Sequence, residues 1–165
     1  IVLYKPLIPP NTGNIARTCA GTNTKLHLIE PLGFKTTDKA LKRAGLDYWH
    51  ELDLTYHRNL RSFLQAIDTR HLYLVSKFAY HTYADIDYRD TDKDYYFIFG
   101  KETTGLPEKF MHDYADKCIR IPMDDSHVRS FNLSNSANIV LFEALRQQDF
   151  AGLEKVHAYP HDKLK

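Results

Sequence analysis

The chain is 165 residues long, 43% hydrophobic and 26% charged, and its 22 Lys and Arg against 21 Asp and Glu give a formal net charge of +1. That length suits one domain able to bury a real core. The charge balance excludes a uniformly basic nucleic-acid coat and an acidic tail protein, but it leaves room for a local basic patch.

In chain order, residues 1–4 predict a strand, ended by Pro6. Residues 9–13, with two prolines and a glycine, predict a stiff loop in which Gly13 can take positive φ and an Asn can cap the next helix. Residues 14–22 predict that helix, with Ile15, Thr18 and Cys19 on one face. Residues 26–30 form a compact strand pattern ended by Pro31. Thr37 or Asp38 can cap a helix through Ala40, Leu41 and Ala44, with Gly45 as its stop. Residues 51–57 alternate as a strand, and Asn59 can cap a helix through Leu60, Phe63, Leu64 and Ile67. Residues 71–76 and 95–99 are β-branched or aromatic runs and predict strands. A short helix is expected after Pro107, a strand over residues 119–123, and a long helix over residues 134–148. This strand–helix alternation predicts an α/β fold: a parallel sheet covered by helices on both faces.

Cys19 and Cys118 are far apart and form no CxxC pair, so free thiols in a reducing cytosol are expected. No apolar run approaches the ~18 residues of a membrane span. The opening apolar run is too short for a signal peptide and carries no basic leader, so a cytoplasmic protein is expected. Because the chain opens on Ile1 and not Met, a residue or two is expected to precede it. The nine histidines are scattered without ligand spacing, so no metal is expected.

Ligands of parallel sheets sit beyond the carboxyl ends of strands, so polar segments directly after strands are the candidates. Three such segments stand out. Around Asn11 and Arg17 the pattern reads either as a loop with a helix cap and surface Arg, or as part of a site. In residues 99–107, Gly100 and Gly105 flank Glu102 and two threonines. That pattern is not a Walker loop, because Leu106-Pro107 stands where Lys and Ser/Thr are required. It reads as a tight structural turn or as a binding loop. In residues 130–136, five of seven side chains carry a hydroxyl or amide, more than one helix cap needs. Ile121, Met123, Phe131 and Leu133 interleave them, which suits loop packing or a half-apolar ligand pocket.

The segments IVLYKPLIPPNTGNIAR, LHLIEPLGF, LKRAGLDY, FGKETTGLP, RIPM and RSFNLSNSAN cover about residues 1–148. In this order and spacing they resemble the SPOUT superfamily of RNA methyltransferases. Within it, the match is to the TrmL (YibK) family of tRNA (cytidine/uridine) 2'-O-methyltransferases acting on the wobble nucleotide. The resemblance implies one domain over residues 1–148, whose C-terminal part is threaded into a trefoil knot, followed by a tail over residues 149–165. It implies S-adenosylmethionine as cofactor, yielding S-adenosylhomocysteine, and the tRNA anticodon stem-loop as partner. It also implies a homodimer in which two subunits build each site. Val75, Ser76, Gly100, Gly105, Ile121, Met123, Ser130 and Leu133 would line the cofactor pocket. Asn11, Arg17, Glu102, Ser130 and Asn132 match the ribose-methylating set. Lys101 departs from the family's usual Pro.

Under that resemblance Arg17 orients the ribose hydroxyl. A guanidinium is a permanent cation, so clamping a phosphate and polarising the hydroxyl suits it better than acting as a base. Lys39, Lys42, Arg43 and Arg58, with Lys35 and Arg61, would meet RNA phosphates, and Tyr48, Trp49 and His50 lie between them. The same stretch also reads as a solvated helix face. As an RNA surface it implies affinity that falls with added salt. The apolar helix with Ile139, Val140, Phe142 and Leu145 offers either a dimer face or a core face. The rival classes are a non-catalytic RNA-binding module of the same fold and a flavodoxin-like nucleotide binder. The intact five-residue set disfavours the first, and the failed Walker match disfavours the second.

Overall fold

The computed structural model describes residues 1–36, 46–157, 159–161 and 163–164. In chain order it contains β1 (Val2–Tyr4), α1 (Pro9–Gly21) and β2 (Leu26–Ile29). A 3-10 turn (Leu46–Glu51) leads into β3 (Leu54–His57), and α2 (Leu60–Ala66) comes after it. Next come β4 (Leu72–Val75), the two-residue β5 (His81–Thr82) and β6 (Tyr96–Phe99). The chain then forms α3 (Glu108–Asp113), β7 (Cys118–Arg120) and α4 (Leu133–Gln147). The helix expected around Ala40, Leu41 and Ala44, with its cap and its stop at Gly45, lies outside the described residues.

The seven strands form one sheet in the order β3-β2-β1-β6-β4-β7-β5, and every neighbouring pair is parallel. Strand alternation sends successive residues to opposite faces. Leu3 packs with Ile15 of α1 and Val140 of α4, while Val2 packs with Phe63 of α2 and Phe110 of α3. Helices thus cover both faces, as the apolar runs predicted. Along α4, Ala137, Val140, Leu141 and Ala144 are buried at the spacing of one helical face. Of the four residues read as either a dimer or a core face, Val140 is core and Leu145 packs against the core, while Ile139 (37%) and Phe142 (45%) are exposed.

Several boundaries correct the sequence reading. α1 begins at Pro9, not Asn14, and has no side-chain cap at Ile8. Pro9 and Pro10 lack the N–H groups that a first turn leaves without partners, so they start the helix instead of forming a loop. Gly13 is a buried helical residue and is not in the positive-φ region. Residues 46–51, partly assigned to a strand, form the 3-10 turn. The strand expected over residues 119–123 spans Cys118–Arg120, ahead of Pro122. Asn59 does cap α2: its side chain accepts the Ser62 N–H at 2.9 Å, and the Ser62 hydroxyl accepts the Asn59 N–H at 3.2 Å. Among the described residues no helix is long and apolar enough to cross a membrane.

From β1 the chain steps outward through β2 to β3, then returns to build the other half of the sheet beyond β6. The winding direction therefore reverses between β1 and β6. In an open parallel sheet the crevice beyond the carboxyl ends at such a reversal is where ligands bind.

Candidate functional site

A cleft of about 710 Å³ lies at that rim. The segments after β1, β4, β6 and β7 build it. All residues assigned to the cofactor line it: Val75, Ser76, Gly100, Gly105, Ile121, Met123, Ser130 and Leu133. Asn11, Glu102 and Asn132 line it too. Residues far apart in sequence meet here because each belongs to a strand's carboxyl end or to the start of a helix beside it.

The segment after β6 is a closed loop. The Lys101 and Gly105 backbones bond to each other in both directions, N–H of Gly105 to O of Lys101 at 2.9 Å and N–H of Lys101 to O of Gly105 at 3.2 Å. Gly105 sits at φ +70, which only glycine takes without strain. Gly100 is needed for a different reason: a Cβ there would lie 2.1 Å from the Gly105 carbonyl carbon. The paired glycines thus let the loop fold back on its own strand.

Polar groups lock this loop to the other two. Glu102 accepts the backbone N–H of Leu7 through Oε2 at 2.9 Å and that of Ile8 through Oε1 at 3.0 Å. Its Oε1 also accepts from Asn11 Nδ2 at 3.3 Å. Asn11 Oδ1 accepts from Asn132 Nδ2 at 3.0 Å. Asn132 Oδ1 caps α4, taking the N–H of Ser134 at 2.9 Å and of Asn135 at 3.3 Å, with the Ser134 hydroxyl at 2.6 Å. The carboxylate at one end and the helix cap at the other fix which atoms must donate, so both amides between them are held in one orientation. Three of the five residues assigned to catalysis form this relay, and it gives them a positioning geometry. Ser130 stands exposed at the cleft wall.

Arg17 does not line the cleft and is exposed on α1. It lies six residues beyond Asn11, which on a helix means ~9 Å along the axis and a different face. Lys39, Lys42 and Arg43 lie outside the described residues. Arg58, just past β3, and Lys35 line a second, shallower cleft on the same rim. Trp49 packs against the core and so is not an open stacking surface. The sequence reading missed Lys77 and Phe78, which come after β4 and line the main cleft, and Met111 from α3. Their position right after a central strand was the available signal for the first two.

The cleft suits a half-apolar, half-polar ligand. Ile121, Leu133 and Met111 give apolar surface, while the strand ends and the glycine loop present backbone groups. Glu102 has both oxygens engaged by protein donors, so it adds position to the site and not an open acidic pocket.

The sequence profile of the SpoU rRNA Methylase family matches residues 1–142. The chain is 46% identical over 154 residues to the tRNA (cytidine(34)-2'-O)-methyltransferase of Escherichia coli (strain K12), covering 92% of this chain and 95% of that one. A relative from Lactococcus lactis subsp. cremoris (strain MG1363), named as a candidate for the same activity, is 63% identical over 166 residues, covering 100% of this chain and 98% of that one. A solved structure described as giving insight into 2-OH methylation of C/U34 on tRNA superposes with a TM-score of 0.81 at 39% identity, covering 90% of this chain and 94% of that one.

Proposed function

Since the chain belongs to the SpoU rRNA Methylase family, we propose that it methylates the ribose 2'-hydroxyl of the wobble nucleotide, cytidine or uridine, in the tRNA anticodon loop. The observation that carries this reading is the meeting of Gly100, Glu102, Asn11 and Asn132 in one cleft at the sheet's reversal point. The named activity of relatives that match along almost their whole length supports the substrate.

S-adenosylmethionine supplies an electrophilic methyl group on a sulfonium. The cleft fits it: Ile121, Leu133 and Met111 would flank the adenine, and the backbone of residues 100–105 and Ser76 would hold the polar end. Bound there, it would supply that methyl group to the ribose 2'-oxygen and leave as S-adenosylhomocysteine, while the hydroxyl proton would pass to solvent. The protein's task is alignment, which can supply roughly 7–11 kcal/mol of a barrier. The Glu102–Asn11–Asn132 relay serves that alignment by fixing the loops on either side of the ribose. Arg17 clamps a phosphate and polarises the hydroxyl, acting in the cleft of a partner subunit. The exposed Ile139 and Phe142, one turn apart on α4, support such a homodimer.

Residues 1–148 form the catalytic domain and residues 149–165 its tail. The insertion of β7, the last strand, between the earlier β4 and β5 supports the trefoil-knotted threading of the C-terminal part. The protein works in the cytoplasm, with its tRNA.

The test is to incubate the protein with methyl-labelled S-adenosylmethionine and unmodified tRNA and map the label. Label on the 2'-oxygen of nucleotide 34 is expected. Cofactor binding with no transfer would make the chain a non-catalytic RNA-binding module. A protein that binds no cofactor would end the methyltransferase reading.

A further inference from the structure

The second cleft, of about 560 Å³, opens beyond the carboxyl ends of β2 and β3. Phe34 and Tyr56 line it together with Lys35, Arg58 and Glu30. Strand alternation explains the chemistry of its β3 wall. His57 is buried, so Tyr56 and, past the strand end, Arg58 project on the opposite side. Tyr56 is 42% exposed, an aromatic ring left open on the outermost strand.

This cleft shares a hydrogen-bonded rim with the main one. The Gly33 N–H donates to the Pro6 carbonyl at 2.8 Å, and a Cβ on Gly33 would meet Leu7 Cα at 2.8 Å. Leu7 in turn donates to Glu102. The glycine's missing side chain thus lets residues 30–36 lie against the segment that walls the main cleft. Strands in a sheet stand ~4.8 Å apart, so the β2–β3 cleft lies about two strand spacings, ~10 Å, from the β1–β6 junction.

We infer that this second cleft seats a nucleotide flanking the methylated one in the single-stranded loop, with Tyr56 and Phe34 stacking on its base and Lys35 and Arg58 meeting its phosphates. The inference rests on the proposed methyltransferase reading. Single-stranded RNA is held by this combination of aromatic faces and cations tracking the backbone. The Glu30 carboxylate adds an acceptor for a base amino group or a ribose hydroxyl.

Tyr56→Ala, Tyr56→Phe and the double variant Lys35→Ala/Arg58→Ala test this. The measurements are kcat and KM for an anticodon stem-loop, binding of the same fluorescently labelled RNA by anisotropy, and S-adenosylmethionine affinity. For Tyr56→Ala, KM and the RNA Kd rise about tenfold while kcat and cofactor affinity hold, the loss of one stacked base. Tyr56→Phe keeps the ring and stays near wild type. The double variant weakens RNA binding and flattens its log–log salt slope by about 0.7 per cation removed. Unchanged RNA affinity in Tyr56→Ala, or an equal defect in Tyr56→Phe, overturns the inference. Anisotropy needs no turnover, so a wild-type protein that binds RNA without methylating it refutes the catalytic reading separately from the cleft assignment.

Discussion

At the residue scale the site depends on Glu102 more than on any other side chain, because one carboxylate ties the loop after β6 to the loop after β1 and to the relay that reaches α4. All of its partners are donors: two backbone N–H groups and the Asn11 amide. Glu102→Gln keeps size and shape but turns one acceptor into a donor facing an N–H. Such a mismatch costs about 1–3 kcal/mol. In a domain of this size each kcal/mol lowers Tm by roughly 2–4 °C. The variant is therefore expected to melt several degrees lower and to lose most methyl transfer, because the loop after β6 loses part of its hold on Leu7, Ile8 and Asn11. Calorimetry and the labelled-methyl assay check this, and an unchanged Tm would mean that the relay does not hold the loops. The importance of Glu102 was legible in its place between two glycines, but its partners were not. Leu7 and Ile8 stand more than ninety positions away, and no local pattern links them to Glu102.

At the element scale the strands were the most legible part, because a strand buried on both faces must be a short apolar run and the chain holds few other such runs. The start of α1 was hidden since Pro-Pro-Asn reads as a turn, and the two-residue β5 is too short for any period. A histidine pair between β2 and β3 was also invisible, because only register creates it. His27 lies opposite Thr55 and Ile29 opposite His57, so His27 and His57 are diagonal neighbours on one face. Their rings bond at 2.9 Å, Nδ1 to Nε2, packed against Phe63 and Tyr96. Burial pushes His27 down to about 4, and burial lowers His57 as well. The unfolded chain then binds more protons than the folded one between about pH 4 and pH 6.5, so stability falls as pH drops through that window. The loss reaches up to roughly 3 kcal/mol, less whatever solvent at this edge of the sheet screens. Melting at pH 7.5 and at pH 4.5 should show a drop in the wild type that is smaller in His27→Gln. Equal drops would assign the acid sensitivity to other groups.

At the scale of the whole molecule the described candidate groups gather at one rim of the sheet, with Arg17 the exception, and that exception bears on how many chains make a site. A net charge of +1 cannot hold RNA by bulk attraction, so local cations have to do it. Arg58 and Lys35 sit at the rim, but the residue assigned to the hydroxyl is exposed on another face of α1. A two-fold dimer joins the same patch on both subunits and can carry an arginine of each into the cleft of the other. Sequence alone could name Arg17 by resemblance but could not say whose cleft it serves, since that depends on an interface no single-chain pattern records. Complementation decides it. Arg17→Ala is expected to lose about 10²–10³ in kcat, the usual worth of one fixed donor aimed at developing charge, with cofactor affinity intact. Glu102→Gln damages the cleft instead. Mixed in equal amounts and allowed to exchange subunits, the two inactive variants form heterodimers in half of the population, and each heterodimer has one cleft with a sound relay and a partner's Arg17. About a quarter of wild-type activity should then return. A mixture that stays as inactive as its components would place Arg17 in its own subunit's cleft, and an Arg17→Ala protein that is active on its own would place it outside catalysis altogether.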